Sequence, residues 1–190
     1  MNTTFQVDYL IDRRRREQLK HQTARLIWLT GLSGAGKSTI ARILDQRLTE
    51  RGIHSYYLDG DNMRMGLCSD LGFDIRSRTE NIRRAGEVAK LFVDAGLVTV
   101  AAFISPLRAD RDALRGALGD RFVEVYCKCP LSVCEARDTK GLYQQARSGA
   151  IGHFTGISSP YEEPLDPALV IDTSAESPEQ SAHRILHFLF

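Results

Sequence analysis

The chain predicts a three-layer α/β fold: a mostly parallel sheet, helices on both of its faces, and a lid segment. Three observations lead there. Short apolar runs alternate with amphipathic stretches from residue 25 onward. A glycine-rich octad separates the first run from the first long amphipathic stretch. Ser177-Pro178-Glu179-Gln180 then opens a closing helix, with Ser177 as N-cap, Pro178 in the first turn and Gln180 placed for a capping box. Alternating strands and helices place parallel strands between two helical layers. With 190 residues, 43% of them hydrophobic, the chain can bury the core of one domain. Residues 1–190 are therefore read as a single domain, with a polar helical arm over about 1–24 and a lid over about 138–162.

The elements follow in order. Tyr9 to Gln22 is polar, and its run Arg13 to Arg16 reads as a solvated helix face or as an arm that touches an anionic ligand or a partner. Arg25–Thr30 is a buried strand, and Lys37–Arg51 a helix stopped by Gly52. Ile53–Leu58 is the second strand. Arg78–Ala95 is a long helix with Ile82, Ala85, Val88, Ala89 and Phe92 at helical spacing, ended by Gly96. Leu97–Ile104 is a continuous apolar strand and Pro106–Leu118 a helix. Arg121–Tyr126 is a strand, Leu131–Arg137 a helix, and Ala168–Ile171 a short last strand.

Composition narrows the class. Lys+Arg 25 against Asp+Glu 24 argues against a general nucleic-acid or membrane-surface binder. Met1–Asp8 lacks the apolar core of a signal peptide, and no apolar run approaches the roughly 20 residues of a membrane span. The expectation is a soluble, cytoplasmic protein. Cys68, Cys127, Cys129 and Cys134 form no Cys-x-x-Cys pair, so they read as small buried apolar residues rather than as a metal site.

Chemistry enters with Gly31-Leu32-Ser33-Gly34-Ala35-Gly36-Lys37-Ser38, a P-loop in its required context between a strand and a helix. The glycines let backbone N–H groups curl around phosphate oxygens, and the helix start adds its positive dipole end. Lys37 should reach the terminal phosphates of a nucleoside triphosphate, and the Ser38 hydroxyl should ligate Mg²⁺. No Asn-Lys-x-Asp tetrad is present, which counts against a GTPase; the length suits a small-molecule kinase.

Leu58-Asp59-Gly60-Asp61-Asn62-Met63-Arg64 then places two carboxylates just past the end of the second strand, where ligands bind in such sheets. A carboxylate there can accept a hydroxyl proton or reach Mg²⁺ through water; a polar turn capped by Asp59 and Asp61 is the plainer reading. Arg76, Arg78, Arg83, Arg84 and Asn81 cluster near a helix start, where guanidinium groups suit phosphate or sulfate, although Arg76 and Arg83 read better as surface charges. Arg137 to Tyr161 is rich in Gly and Ser, carries Phe154 and resembles a mobile lid that excludes water.

These segments, joined by Thr39, Leu71-Gly72-Phe73, Glu80-Asn81-Ile82-Arg83-Arg84, Phe103-Ile104-Ser105-Pro106, Lys140-Gly141-Leu142-Tyr143 and Phe154-Thr155-Gly156-Ile157, resemble adenylyl-sulfate kinases in residue and order. The likeness runs from about Gln18 to the C-terminus. It implies the P-loop NTPase fold and transfer of the γ-phosphoryl group of ATP, with Mg²⁺, to the 3′-hydroxyl of adenosine 5′-phosphosulfate (APS). By that resemblance Asp61 receives the 3′-hydroxyl proton and Lys37 serves the moving phosphoryl group. Gly31, Ser33, Gly34, Ala35, Gly36, Lys37, Ser38 and Thr39 hold ATP, with Arg137 near its base. Asp59, Arg64, Arg78, Asn81, Ile104, Ser105, Lys140 and Leu142 hold APS, with Phe73 and Phe154 sandwiching its adenine. The metal falls to Ser38, with Asp61 reaching it through water. The resemblance also implies a homodimer and a functional link to an ATP sulfurylase.

Three positions depart from the family. Ser77 stands where Asp is usual, Met65 where His is common, and Ser158 in place of an Asp. Ser77 is expected to cap a helix beginning at Arg78. The rival readings are a kinase for another small hydroxyl acceptor, such as gluconate, shikimate or a nucleoside monophosphate, and a nucleotide-sensing domain without catalysis. The second should have lost Lys37 or the acceptor-side carboxylates, yet Lys37, Asp59 and Asp61 are all present.

Overall fold

The apolar runs become β1 (Arg25–Thr30), β2 (Ser55–Asp59), β3 (Val98–Ala102), β4 (Phe122–Lys128) and β5 (Leu169–Asp172). In this computed structural model, which describes residues 9–190, they form one parallel sheet in the order β2-β3-β1-β4-β5. The reading of Met1–Asp8 lies outside the described residues. The helices are α1 (Arg13–Lys20), α2 (Lys37–Glu50), α3 (Gly60–Arg64), α4 (Ile75–Asp94), α5 (Arg108–Leu118), α6 (Leu131–Arg137), α7 (Leu142–Arg147) and α8 (Pro178–Leu189). None is long and apolar enough to cross a membrane.

Strand periodicity makes the layers. Along β1, Ile27 and Leu29 join the core under α2 and α8, while Leu26 and Trp28 join the core under α4 and α5. Side chains alternate across a strand, so a central strand with both faces covered must be apolar throughout. β1 is buried from Leu26 to Thr30, as is all of β3. The four cysteines are free and buried, as their reading as small apolar residues required.

Most boundaries fall within a few residues of the expected ones. The Ser177 cap and its Gln180 capping box are present as read. α1 is a solvated helix with no buried residue, tied down where Arg16 donates to the Asp94 carboxylate at 2.6 Å. One assignment needs correction. The long helix begins at Ile75, not Arg78, and its cap is Asp74, not Ser77. Asp74 accepts both the Ser77 amide at 3.1 Å and the Ser77 hydroxyl at 2.6 Å. A carboxylate can take both bonds and favours the positive end of the helix; a serine hydroxyl does less. The short helices α3 and α7, of five and six residues, were not expected. Segments that short carry too few turns for a periodic signal.

Candidate active site

Past the carboxyl end of β1 the chain enters the glycine-rich loop. Gly31 has φ +149°, and a Cβ there would lie 2.5 Å from the Cys127 carbonyl oxygen of β4. Gly34, at φ +75°, would bring one 2.9 Å from the Cys134 carbonyl. Backbone sits directly against backbone, so no side chain fits at either place. Gly36 is the N-cap of α2 and offers no side-chain oxygen. The first amides of α2 are thus left to an anion at the helix start.

Lys37 is buried, and its ammonium donates to the carbonyls of Gly31 at 2.9 Å and Leu32 at 2.7 Å. Burial pushes its pKa down from 10.5 to about 8. The loop is braced from α6 and α7. The Tyr143 hydroxyl donates to the Ser33 carbonyl at 2.9 Å, and Arg137 donates to the carbonyls of Thr173 at 2.6 Å and Gly34 at 3.3 Å.

Opposite the loop, β2 ends in Asp59, the N-cap of α3. Its carboxylate accepts from Tyr57 at 2.5 Å, Ser38 at 3.0 Å and the amide of Asp61 at 2.9 Å. Burial alone would raise the Asp59 pKa, but the hydrogen bonds from Tyr57, Ser38 and the α3 amides outweigh it and hold the carboxylate below its ordinary range. Asp59 therefore sits anionic against the Ser38 hydroxyl. Asp61, two residues on, reaches across the cleft to Lys140. Tyr57 was missed in the sequence, although its place two residues before Asp59 puts it on the same face of β2.

The far wall is cationic and aromatic. Arg64 donates to the carbonyls of Leu71 and Gly72, both at 3.0 Å, and lies 4.4 Å from the centre of the Phe73 ring. Arg78 donates to the Phe73 carbonyl at 2.7 Å and to the His153 carbonyl at 2.9 Å, joining α4 to the segment that follows α7. Burial lowers the pKa of both guanidinium groups from the ordinary arginine value. Asn81 is buried, and its amide nitrogen has no partner within the protein. An unpaired buried donor on a cavity wall points to a ligand that accepts from it.

Two expected contacts change character. The Ser105 hydroxyl donates to Thr30 at 2.9 Å and accepts from the Trp28 indole at 3.0 Å. What Ser105 offers a ligand is therefore its backbone, held at φ +41°. Phe154 is no loose flap: only 7% exposed, it packs edge-on against Tyr143 with ring centres 4.9 Å apart, inside the core cluster under α2. Phe73, by contrast, is 55% exposed.

One cavity of about 1420 Å³ joins these parts. Of the predicted site residues only Gly31 and Ala35 lie off its wall; they are buried behind the loop they shape. Single-ligand pockets run to roughly 1,000 Å³, so this one has room for two nucleotides. Among the described residues no three His, Cys, Asp or Glu side chains gather as a metal site. Ser38 and Asp59 do supply adjacent hard oxygen donors, which fits Mg²⁺ carried mainly by substrate phosphates.

Comparisons with known proteins identify the family. A family model described as adenylylsulphate kinase matches residues 23–172. The adenylyl-sulfate kinase of Shewanella oneidensis is 56% identical over 94% of this chain and 88% of its own length. The structure of the Mycobacterium tuberculosis APS kinase in complex with AMPPNP and APS superposes with a TM-score of 0.84, at 44% identity, over 88% of this chain and 98% of that one. A hexameric APS kinase from Thiobacillus denitrificans gives a TM-score of 0.66 at 32% identity, over 92% of this chain and 29% of its own.

Proposed function

This chain belongs to the adenylylsulphate kinase family, phosphorylating adenosine 5′-phosphosulfate with ATP to give 3′-phosphoadenosine 5′-phosphosulfate and ADP, and we propose how its own residues divide that work. The single observation that carries the division is that one cavity is lined by the glycine loop, Asp61, Phe73 and Phe154 together. The triphosphate lies along Gly31–Thr39. Its γ-phosphate draws the Lys37 ammonium away from the Gly31 and Leu32 carbonyls. APS lies against Arg64, Arg78 and Asn81, with its adenine between Phe73 and Phe154 and its ribose over Ile104 and Ser105.

The 3′-oxygen attacks the γ-phosphorus in line. The bond from that phosphorus to the β,γ-bridging oxygen breaks, its electron pair leaves with ADP, and the 3′-hydroxyl proton passes to the Asp61 carboxylate. Catalysis here is alignment and charge stabilisation more than covalent chemistry. The Lys140–Asp61 pair is 56% and 69% exposed, and such pairs are worth about 0–1 kcal/mol. An arriving acceptor can therefore open it and leave Lys140 to the phosphosulfate. Mg²⁺ bound at Ser38, with Asp59 behind it, would neutralise charge on the β- and γ-phosphates.

The remaining parts of the reading are also proposals. The chain acts as one kinase domain with residues 138–162 as its lid. It works in the cytoplasm, where ATP is plentiful, and as a homodimer, for which the hexameric relative is a precedent for assembly. An ATP sulfurylase supplies its acceptor. The decisive experiment is ADP release measured with and without APS in the presence of Mg²⁺. Release that depends on APS is expected, and release indifferent to it overturns the assignment of the acceptor wall. Light scattering at micromolar concentration should report twice the mass of the chain.

A further inference from the structure

Behind the acceptor wall lies a polar cluster that the chemistry above does not use. Arg111 of α5 is 1% exposed and Glu124 of β4 is 2% exposed. Glu124 sits on the face of β4 turned toward α4 and α5, where a neighbouring strand position is filled by Phe122. The Arg111 guanidinium donates in three directions: to the Glu124 carboxylate at 2.7 Å, to the Ser105 carbonyl at 2.5 Å and to the Glu162 carbonyl at 2.6 Å. Arg115 donates to the second Glu124 oxygen at 2.5 Å.

Glu162 is held twice more against the same loop. Its amide donates to the Pro106 carbonyl at 2.8 Å, and its carboxylate accepts from the Arg108 amide at 2.7 Å. On the other side, Thr30 donates to the Ile104 carbonyl at 2.8 Å and lies 3.0 Å from the Tyr161 hydroxyl. Its one proton goes to Ile104, so Thr30 accepts from both Ser105 and Tyr161. Thr30 is the residue immediately before Gly31. Three parts of the site thus converge here: the start of the glycine loop, the Ile104–Ser105 backbone, and residues 161 and 162, where the lid segment returns.

We propose that Arg111 is a positioning residue for the acceptor half of the reaction, fixing the Ile104–Ser105 backbone and the lid's return segment in one register. The physical case is economical. Ser105 holds a left-handed conformation that a non-glycine residue adopts only when its surroundings impose it. The surroundings that impose it are the Arg111–carbonyl bond and the Trp28–Ser105–Thr30 chain of hydrogen bonds. A fork with fixed angles can set two carbonyls relative to each other; an ammonium cannot. A buried ion pair is also weak evidence for stability, since apolar groups of the same volume often serve as well. That leaves geometry as the reason for placing a charge pair beneath this loop.

The inference rests on the acceptor lying against Ile104 and Ser105, so its test carries a control for that placement. Arg111→Lys, the volume-conserving pair Arg111→Met with Glu124→Met, and Tyr161→Phe are compared with wild type and with Phe73→Ala. The readouts are acceptor KM, kcat, ATP Kd and Tm. In the folded Arg111 variants acceptor KM should rise on the order of tenfold to a hundredfold while ATP Kd stays within about twofold. Tyr161→Phe, which removes one hydroxyl, should show the same pattern at a few-fold and decides the matter where the Arg111 variants do not fold. Unchanged acceptor KM in folded variants overturns the proposal, as does a parallel loss of ATP and acceptor binding that tracks Tm. If Phe73→Ala also leaves acceptor KM unchanged, the acceptor placement itself is wrong; if Phe73→Ala raises it and the others do not, only the role of Arg111 falls.

Discussion

The proposed donor loop and the proposed acceptor wall would grip chemically similar ligands in opposite ways. Gly31–Ser38 is one contiguous run whose work falls mainly to backbone, with Gly31 and Gly34 pressed against the carbonyls of β4 and α6. That acceptor wall is assembled from α3, the Phe73 turn, α4, the loop after β3 and residues 140–154, and apart from the Ser105 backbone it would work through side chains. A triphosphate offers the same oxygens to every kinase, so curled amides suffice for it. Telling APS from another hydroxyl compound takes rings, forks and an unpaired amide set at separate points. Backbone gives a general grip, and side chains from distant segments give a particular one.

The largest expected break between the two halves is Asp61→Ala. Turnover should fall by about 10²- to 10⁴-fold, the usual share of a positioned general base, while ATP Kd stays within about twofold. Near-normal turnover would remove Asp61 from the proton path, and parallel loss of ATP binding would mean that the halves are not separable.

Next in size, the two rings should behave differently. Phe154→Ala removes a ring from the core cluster beside Tyr143 and should cost about 3–5 kcal/mol of folding stability as well as acceptor affinity. Phe73→Ala, at an exposed ring, should raise acceptor KM by the equivalent of about 1–3 kcal/mol of stacking and leave the denaturation midpoint nearly unchanged. Equal stability losses would show that Phe73 is core too.

A smaller effect is expected on the donor side alone. The Lys37 pKa stands near 8 because burial disfavours its ammonium, and bound phosphates favour that ammonium again. ATP binding should therefore take up protons above about pH 8, and ATP Kd should weaken about tenfold between about pH 7 and pH 9. Calorimetry in buffers of different ionisation enthalpy reads the proton directly; proton release instead would reverse the assignment. In the free protein the penalty for burying that ammonium is fully present below pH 8. It fades as pH rises toward 10.5, so this group alone makes folding more stable with rising pH across that window.

Smallest of all should be Ser77→Ala. It removes one hydroxyl bond to Asp74, while the Arg78 guanidinium keeps its bonds to Phe73 and His153. Acceptor KM should move less than about threefold and stability by less than about 1 kcal/mol. A larger change would mean that the departure at position 77 governs how Arg78 is aimed.

By itself the sequence determined whatever local rules decide. The strand–octad–helix unit, the Gly52 stop and the Ser177 capping box were legible because their bonds close within a few residues. The sheet's burial on both faces was legible because an apolar run of strand length admits little else. Only the tertiary structure decided matters that hang on contacts between distant segments. The Asp74 cap is the exception, a local contact: Asp74 and Ser77 both suit an N-cap, and the carboxylate takes it because it can hold the Ser77 amide and hydroxyl together. Asp59 rather than Asp61 meets Ser38, because α3 turns Asp61 toward Lys140. Phe154 is buried because a six-residue helix, too short to read in advance, brings Tyr143 against it. Arg111 could be placed only in three dimensions, since Glu124, Ser105 and Glu162 come from three separate segments and meet at one guanidinium.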